Sequence, residues 1–234
     1  MIAAVVTAAG SSVRMGGLKK EYRLLSNEVL DKDGAPLTVL GACLVAFADS
    51  GLVDLIVVSV PPDGESAARA ALPARLLGRE ASPRVLFVPG GSTRRRSVHQ
   101  ALALLEAYGP DFVLIHDGAR PWVDRILIER TINAVMEKRA VVPVLPLVET
   151  PKEIDETGIV VRHLRRASVV AAQTPQAFAF PDILRAHEKA AERELAEDVE
   201  YTDDAEVWGA FIGPVTTVEG SPGNRKITFP GDLP

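Results

Sequence analysis

Apolar, β-branched runs that do not alternate with polar residues recur through the first 145 residues. Ile2–Val6, Val53–Val60, Arg84–Val88, Phe112–Ile115 and Ala140–Leu145 each read as a strand covered on both faces, since a sheet with one wet face shows a period of two. Between them lie alanine- and leucine-rich stretches, Leu37–Ala48, Glu65–Leu77, Arg95–Ala107 and Arg125–Glu137, that suit helices. The β-α-β-α order implies an α/β fold: a mostly parallel, twisted, Rossmann-like sheet with helices on both faces. Ligands on such sheets sit at the carboxyl ends of the strands, so the loops after the first, third and fourth runs are the places to look for chemistry.

Residues 148–173 break this order. Glu149–Ile154 and Ile159–Val161 flank a polar Asp155-Glu156-Thr157-Gly158 turn and predict a projecting hairpin too poor in apolar residues to pack alone. Helices follow at Pro181–Ala196 and Asp203–Gly209, with strands at Gly213–Val218 and Lys226–Thr228, and residues 26–36 read as a polar surface loop. Hydrophobic residues make up 47%, enough for a core, and the net charge of −5 argues against a general attraction to nucleic acid or anionic membrane. No apolar run is long enough to span a bilayer, and the N-terminus has no charged segment of the signal-peptide kind. A single cysteine, Cys43, lies in an apolar stretch and reads as a core residue in a reducing compartment.

The first loop runs Thr7-Ala8-Ala9-Gly10-Ser11-Ser12-Val13-Arg14 and then reaches Lys19-Lys20. Backbone poor in side chains lets an anion lie against peptide N–H groups, and the two cations beyond it suggest a phosphate. The spacing is neither G-x-G-x-x-G nor a Walker loop. The third loop, Gly90-Gly91-Ser92-Thr93-Arg94-Arg95-Arg96-Ser97, pairs two glycines with a helix start. At most one or two of its arginines can face one way, and Ser97 sits a turn in with its hydroxyl open to a base or ribose. The fourth, His116-Asp117-Gly118-Ala119-Arg120-Pro121, ends a buried strand on a carboxylate. Asp117 must be paired with a cation such as Arg120 or bound to a metal such as Mg²⁺ bridging phosphates. Thr174-Pro175-Gln176 opens a polar loop, Thr202 or Asp203 caps a helix, and Lys226 must find an anion or solvent.

Taken in order, Ala8-Ala9-Gly10-x3-Arg14-Met15, Lys20-x-Tyr22, Gly90-Gly91-x5-Ser97-Val98, His116-Asp117-x-Ala119-Arg120-Pro121, Thr174-Pro175-Gln176, Thr202-Asp203-Asp204-Ala205 and Glu219-Gly220-x3-Asn224-x-Lys226 resemble one family over almost the whole chain. It is the 2-C-methyl-D-erythritol 4-phosphate cytidylyltransferase family of the non-mevalonate isoprenoid pathway. The resemblance implies a cytoplasmic nucleotidyltransferase that joins CTP to a polyol phosphate and releases pyrophosphate. It implies one domain over 1–234, with a β-arm at about 147–171 that pairs two subunits. By resemblance Arg14, Lys20 and Lys226 surround the α-phosphate, and Ala8, Ala9, Gly10, Gly91, Ser92, Ser97 and Gly118 hold the nucleotide. Asp117 takes Mg²⁺, and Arg120, Thr150, Arg166 and Thr202 serve the acceptor, with Thr150 and Arg166 reaching the neighbouring subunit's site.

The chain departs from the family pattern in places. The stretch from Arg14 to Lys20 is one residue short and carries Lys19 where a proline is usual, so either lysine can fill the role. Gly223 stands where some relatives have a carboxylate. A sister enzyme acting on ribitol phosphate, a nucleotide-binding protein without catalysis, and a glycosyltransferase remain open at this level. The last would need an Asp-x-Asp at a strand end, and Asp31-x-Asp33 lies in the polar loop instead.

Overall fold

The computed structural model describes residues 1–10, 19–78, 81–197 and 199–233. Its strands are β1 (Ile2–Thr7), β2 (Leu55–Val60), β3 (Arg84–Pro89), β4 (Phe112–Asp117), β5 (Ala140–Pro146), β6 (Lys152–Ile154), β7 (Val160–His163), β8 (Val170–Ala172), β9 (Gln176–Ala179) and β10 (Thr216–Glu219). The helices are α1 (Val39–Ser50), α2 (Glu65–Ala70), α3 (Arg94–Glu106), α4 (Arg125–Lys138), α5 (Asp182–Ala196) and α6 (Asp204–Phe211). The main sheet runs β10-β5-β9-β4-β1-β2-β3, with β8 also on β5. Pairings are parallel except those of β8 and β9, which are antiparallel.

The unalternated runs are explained by two separate cores. Along β1, Ala4 and Val6 face Leu40, Leu44 and Phe47 of α1, while Ala3 and Val5 face Val98 and Leu102 of α3. Successive strand side chains point to opposite faces, so a strand sandwiched by helices is apolar at every position. The register sets Thr7 opposite both Ser59 and Asp117, which brings the carboxyl ends of β1, β2 and β4 to one edge.

Several expectations are corrected. Glu65–Leu77 is not one helix: α2 stops at Ala70 and a single 3₁₀ turn follows at Ala74–Leu76, because Pro73 cannot continue the hydrogen-bond ladder. The stretch after Thr174 is a central strand, β9, rather than a loop. Lys226–Thr228 is not a strand; Ile227 is pinned singly, its N–H to Ala119 O at 2.8 Å and its carbonyl to Lys20 Nζ at 2.7 Å. The 26–36 loop is not simply a surface turn, since Asp31 is buried and accepts a two-pronged bond from Arg75. Residues 152–163 form the expected hairpin, a two-stranded sheet of its own with Val148, Ile154, Ile159 and Val161 exposed beside and along it. Among the described residues, no helix is long and apolar enough to cross a membrane.

Candidate active site

At the carboxyl edge Asp117 ends β4 with its side chain 9% exposed. A carboxylate there is tolerated because three cations reach it: Lys226 Nζ at 2.9 Å and Arg120 Nε at 3.4 Å on Oδ2, and Arg94 Nε at 3.3 Å on Oδ1. Burial pushes this carboxyl up, but Arg94, Lys226 and Arg120 together outweigh it and hold Asp117 well below the usual carboxylate range. The Asp117 N–H donates to Thr174 Oγ1 at 3.1 Å, and that hydroxyl lies 3.0 Å from His116 Nδ1. His116 Nε2 is 3.2 Å from the Arg120 carbonyl, so a neutral ring donates there and accepts from Thr174. Burial lowers His116 to about 4, in keeping with that neutral, structural role.

The segment carrying Lys226 is fastened on both sides. Arg120 Nη1 donates to Asn224 O at 2.9 Å, and the buried Asn224 donates through Nδ2 to Thr174 O at 2.6 Å. Gln173 bridges Ser221 from both ends of its amide, and the Arg225 guanidinium lies 4.9 Å from the Trp122 ring centre. Lys20, buried, holds the Ile227 carbonyl. Lys19 instead donates to Ala8 O at 2.7 Å and to Gly10 O, so it is the lysine that closes on the first loop.

Arg14 lies outside the described residues. Lys226, Gly118 and Arg120 come together with Asp117, and Lys20 joins them through the Ile227 carbonyl. Ser97 does not offer an open hydroxyl: it donates to Thr93 O at 2.9 Å and accepts from Gly91 N at 3.1 Å, so it clasps the third loop. The Gly118 N–H is taken by Thr7 O at 2.9 Å, and a Cβ at Gly118 would sit 2.9 Å from that same oxygen, so glycine there permits close strand approach. Ala8 N likewise donates to Ser59 O. Gly90 packs so tightly that a Cβ would lie 2.3 Å from Ala9 Cβ, which joins the first and third loops. Arg95 is buried on Glu194, and Arg96 Nη1 reaches Ser92 Oγ at 3.2 Å. Of the three successive arginines only Arg94 faces Asp117.

Asp203, not Thr202, caps α6, accepting from Glu206 N at 2.8 Å, while Thr202 N–H and O–H both donate to Glu206 Oε2. Thr150 and Arg166 lie on the exposed arm; Arg166 donates to Val148 O at 2.7 Å, and among the described residues no hydrogen bond or ion pair joins either to Asp117. Sequence reasoning quoted Thr174 and Asn224 within motifs but gave them no role, and it left open which of the three arginines turns inward. The run of arginines at a helix start was the only hint to Arg94.

A mostly parallel sheet whose carboxyl edge gathers a lysine and two arginines round one buried carboxylate defines an α/β protein of the nucleotidyltransferase class. The family model for 2-C-methyl-D-erythritol 4-phosphate cytidylyltransferase matches residues 2–234, and the chain belongs to that family. It is similar to the bifunctional enzyme IspD/IspF of Brucella anthropi, 37% identical over 99% of this chain and 53% of that protein. The chain thus spans about half the length of the curated relatives it matches. Among solved structures it resembles 4-diphosphocytidyl-2C-methyl-D-erythritol synthase from Anaerococcus prevotii, with a TM-score of 0.77 and 28% identity, covering 100% of this chain and 94% of that one. It also resembles 2-C-methyl-D-erythritol 4-phosphate cytidylyltransferase from Thermus thermophilus, with a TM-score of 0.71 and 31% identity over 100% and 96% of the two chains.

Proposed function

We propose that this chain transfers the cytidylyl group of CTP to 2-C-methyl-D-erythritol 4-phosphate in the cytoplasm, as a step of non-mevalonate isoprenoid synthesis. An acceptor phosphate oxygen bonds to the α-phosphorus of CTP, the bond from that phosphorus to the bridging oxygen breaks, and pyrophosphate leaves. The nucleophile is already anionic, so the step calls for charge neutralisation and alignment more than proton transfer. The observation that carries the reading is the convergence of Arg94, Arg120 and Lys226 on Asp117, with Lys20 on the Ile227 carbonyl next to Lys226, on the fold of this family.

Lys226 is held in place by Asp117 and is the cation offered to the α-phosphate, with Lys20 and Arg14 completing the positive cage. Ala8, Ala9 and Gly10 give the triphosphate a floor without side-chain bulk, with Lys19 closing that loop. Gly91 and Ser92 take the base and ribose, kept in shape by Ser97, and Gly118 brings the strand ends together beneath them. Arg120 and Thr202 face the acceptor. Thr150 and Arg166 serve the site of a second copy, reached by the arm.

Mg²⁺ favours one or two carboxylates with phosphate oxygens and water completing its shell. Asp117 supplies one carboxylate, and among the described residues no group of three or more His, Cys, Asp or Glu is placed to hold an ion. That donor set fits an ion carried largely by the triphosphate, which would supply further neutralisation of phosphate charge when bound. The test is pyrophosphate release from CTP with methylerythritol phosphate set against ribitol phosphate. Release with ribitol phosphate alone, or with neither, overturns the assignment.

A further inference from the structure

The ion pairs behind the pocket continue past Asp117. Arg94, the first residue of α3, places Nε 3.3 Å from Asp117 Oδ1 and Nη1 2.8 Å from Asp204 Oδ2. Asp204 is fully shielded at the start of α6, and its other oxygen lies 3.3 Å from His187 Nε2 on α5. Two residues before Arg94 is Ser92, and two before Asp204 is Thr202. One guanidinium therefore ties the nucleotide-side loop, the central carboxylate and the acceptor-side turn to each other. The planar fork of an arginine can serve two carboxylates on separate edges at once, whereas a lysine ammonium is a single point charge.

We propose that Arg94 is a positioning residue: clamped by Asp204, it fixes Oδ1 of Asp117 and leaves Oδ2 as the oxygen that holds and releases Lys226. The geometry of Asp117 supports this division. Oδ1 is met by Arg94, while Lys226 and Arg120 both lie on Oδ2. Arg94 is anchored from behind by a carboxylate with no exposure of its own, so it stays when Lys226 turns to a phosphate. Without the clamp Asp117 can rotate about its last bond, and Lys226 loses a defined point of departure.

This inference rests on the cytidylyl-transfer reading, and the experiment separates the two. Pyrophosphate release, CTP binding by calorimetry and thermal melting are measured for wild type, Arg94→Lys, Asp204→Asn, Asp117→Asn and the double variant Asp204→Asn/Asp117→Asn. A wild-type chain that releases no pyrophosphate removes the reading, whatever the variants do. With an active wild type, Arg94→Lys and Asp204→Asn are expected to lower kcat at least tenfold, with the CTP Kd within threefold. Asp204→Asn is expected to cost less than a further twofold on the Asp117→Asn background, because the clamp acts through that carboxylate. A charge-balancing role in the fold alone would instead be rescued by lysine in both melting and turnover. Turnover within twofold of wild type for either folded variant overturns the proposal, as does an additive loss in the double variant. If neither Arg94→Lys nor Asp204→Asn melts cooperatively, the clamp is a folding element and the proposal falls.

Discussion

Lys226 lies 2.9 Å from Asp117 with its side chain 37% exposed, so it is paired yet reachable by a ligand from solvent. Lys226→Ala is expected to lower kcat more than tenfold, since one donor aimed at transition-state charge is worth roughly 3 kcal/mol. A rate assay at saturating CTP checks it, and near-normal turnover would remove Lys226 from the chemistry. Cys43 gives a contrasting forecast. Burial pushes its thiol up, with the Asp117 charge adding to the shift, so the native protein should not react with a thiol reagent at pH 8 and the unfolded chain should react fully. Cysteine modification followed through a denaturant titration tests this. Cations beside small-residue loops were readable in the sequence, because the strand-loop-helix pattern says where such a lysine goes. Ser97, Gly118 and Asp31 were not, because the partners that define them, Gly91, Thr7 and Arg75, are assigned only by folding.

The helices and strands divide in the same way. Runs rich in valine and isoleucine announced β1, β2, β4 and β5, since both of their faces are covered. β9 reads Gln176-Ala177-Phe178-Ala179, a sequence of weak strand preference, and becomes a strand because β4 and β5 flank it. Phe178 is fully buried, with its ring centre 5.5 Å from that of Trp208 and the two planes inclined by 28°. Phe178→Ala is expected to cost about 3–5 kcal/mol in a denaturant melt. An unchanged midpoint would show that β9 is not part of the core. At the start of α4, Asp124 Oδ1 accepts from Leu127 N at 2.7 Å. Asp124→Ala should cost about 1 kcal/mol without changing turnover, read by melting and rate together.

Across the whole molecule, the arm shows Val148, Ile154, Ile159 and Val161 to solvent, and such residues on so thin an element suit contact with a second copy. Sedimentation is expected to give a dimer, and Arg166→Ala to raise the acceptor KM several-fold while CTP kinetics stay within twofold. A monomer with full activity would refute the shared site. The antiparallel return of the chain also bears on biosynthesis. β4 and β5 are consecutive among the early strands, yet they are not neighbours: β9 lies between them. A ribosome that has released residues up to 146 has therefore made both neighbours of β9 but not β9 itself. Nascent chains must wait for residue 179 before the facing edges of β4 and β5 are satisfied, and shorter products carry those edges unfilled, which favours sticking to one another.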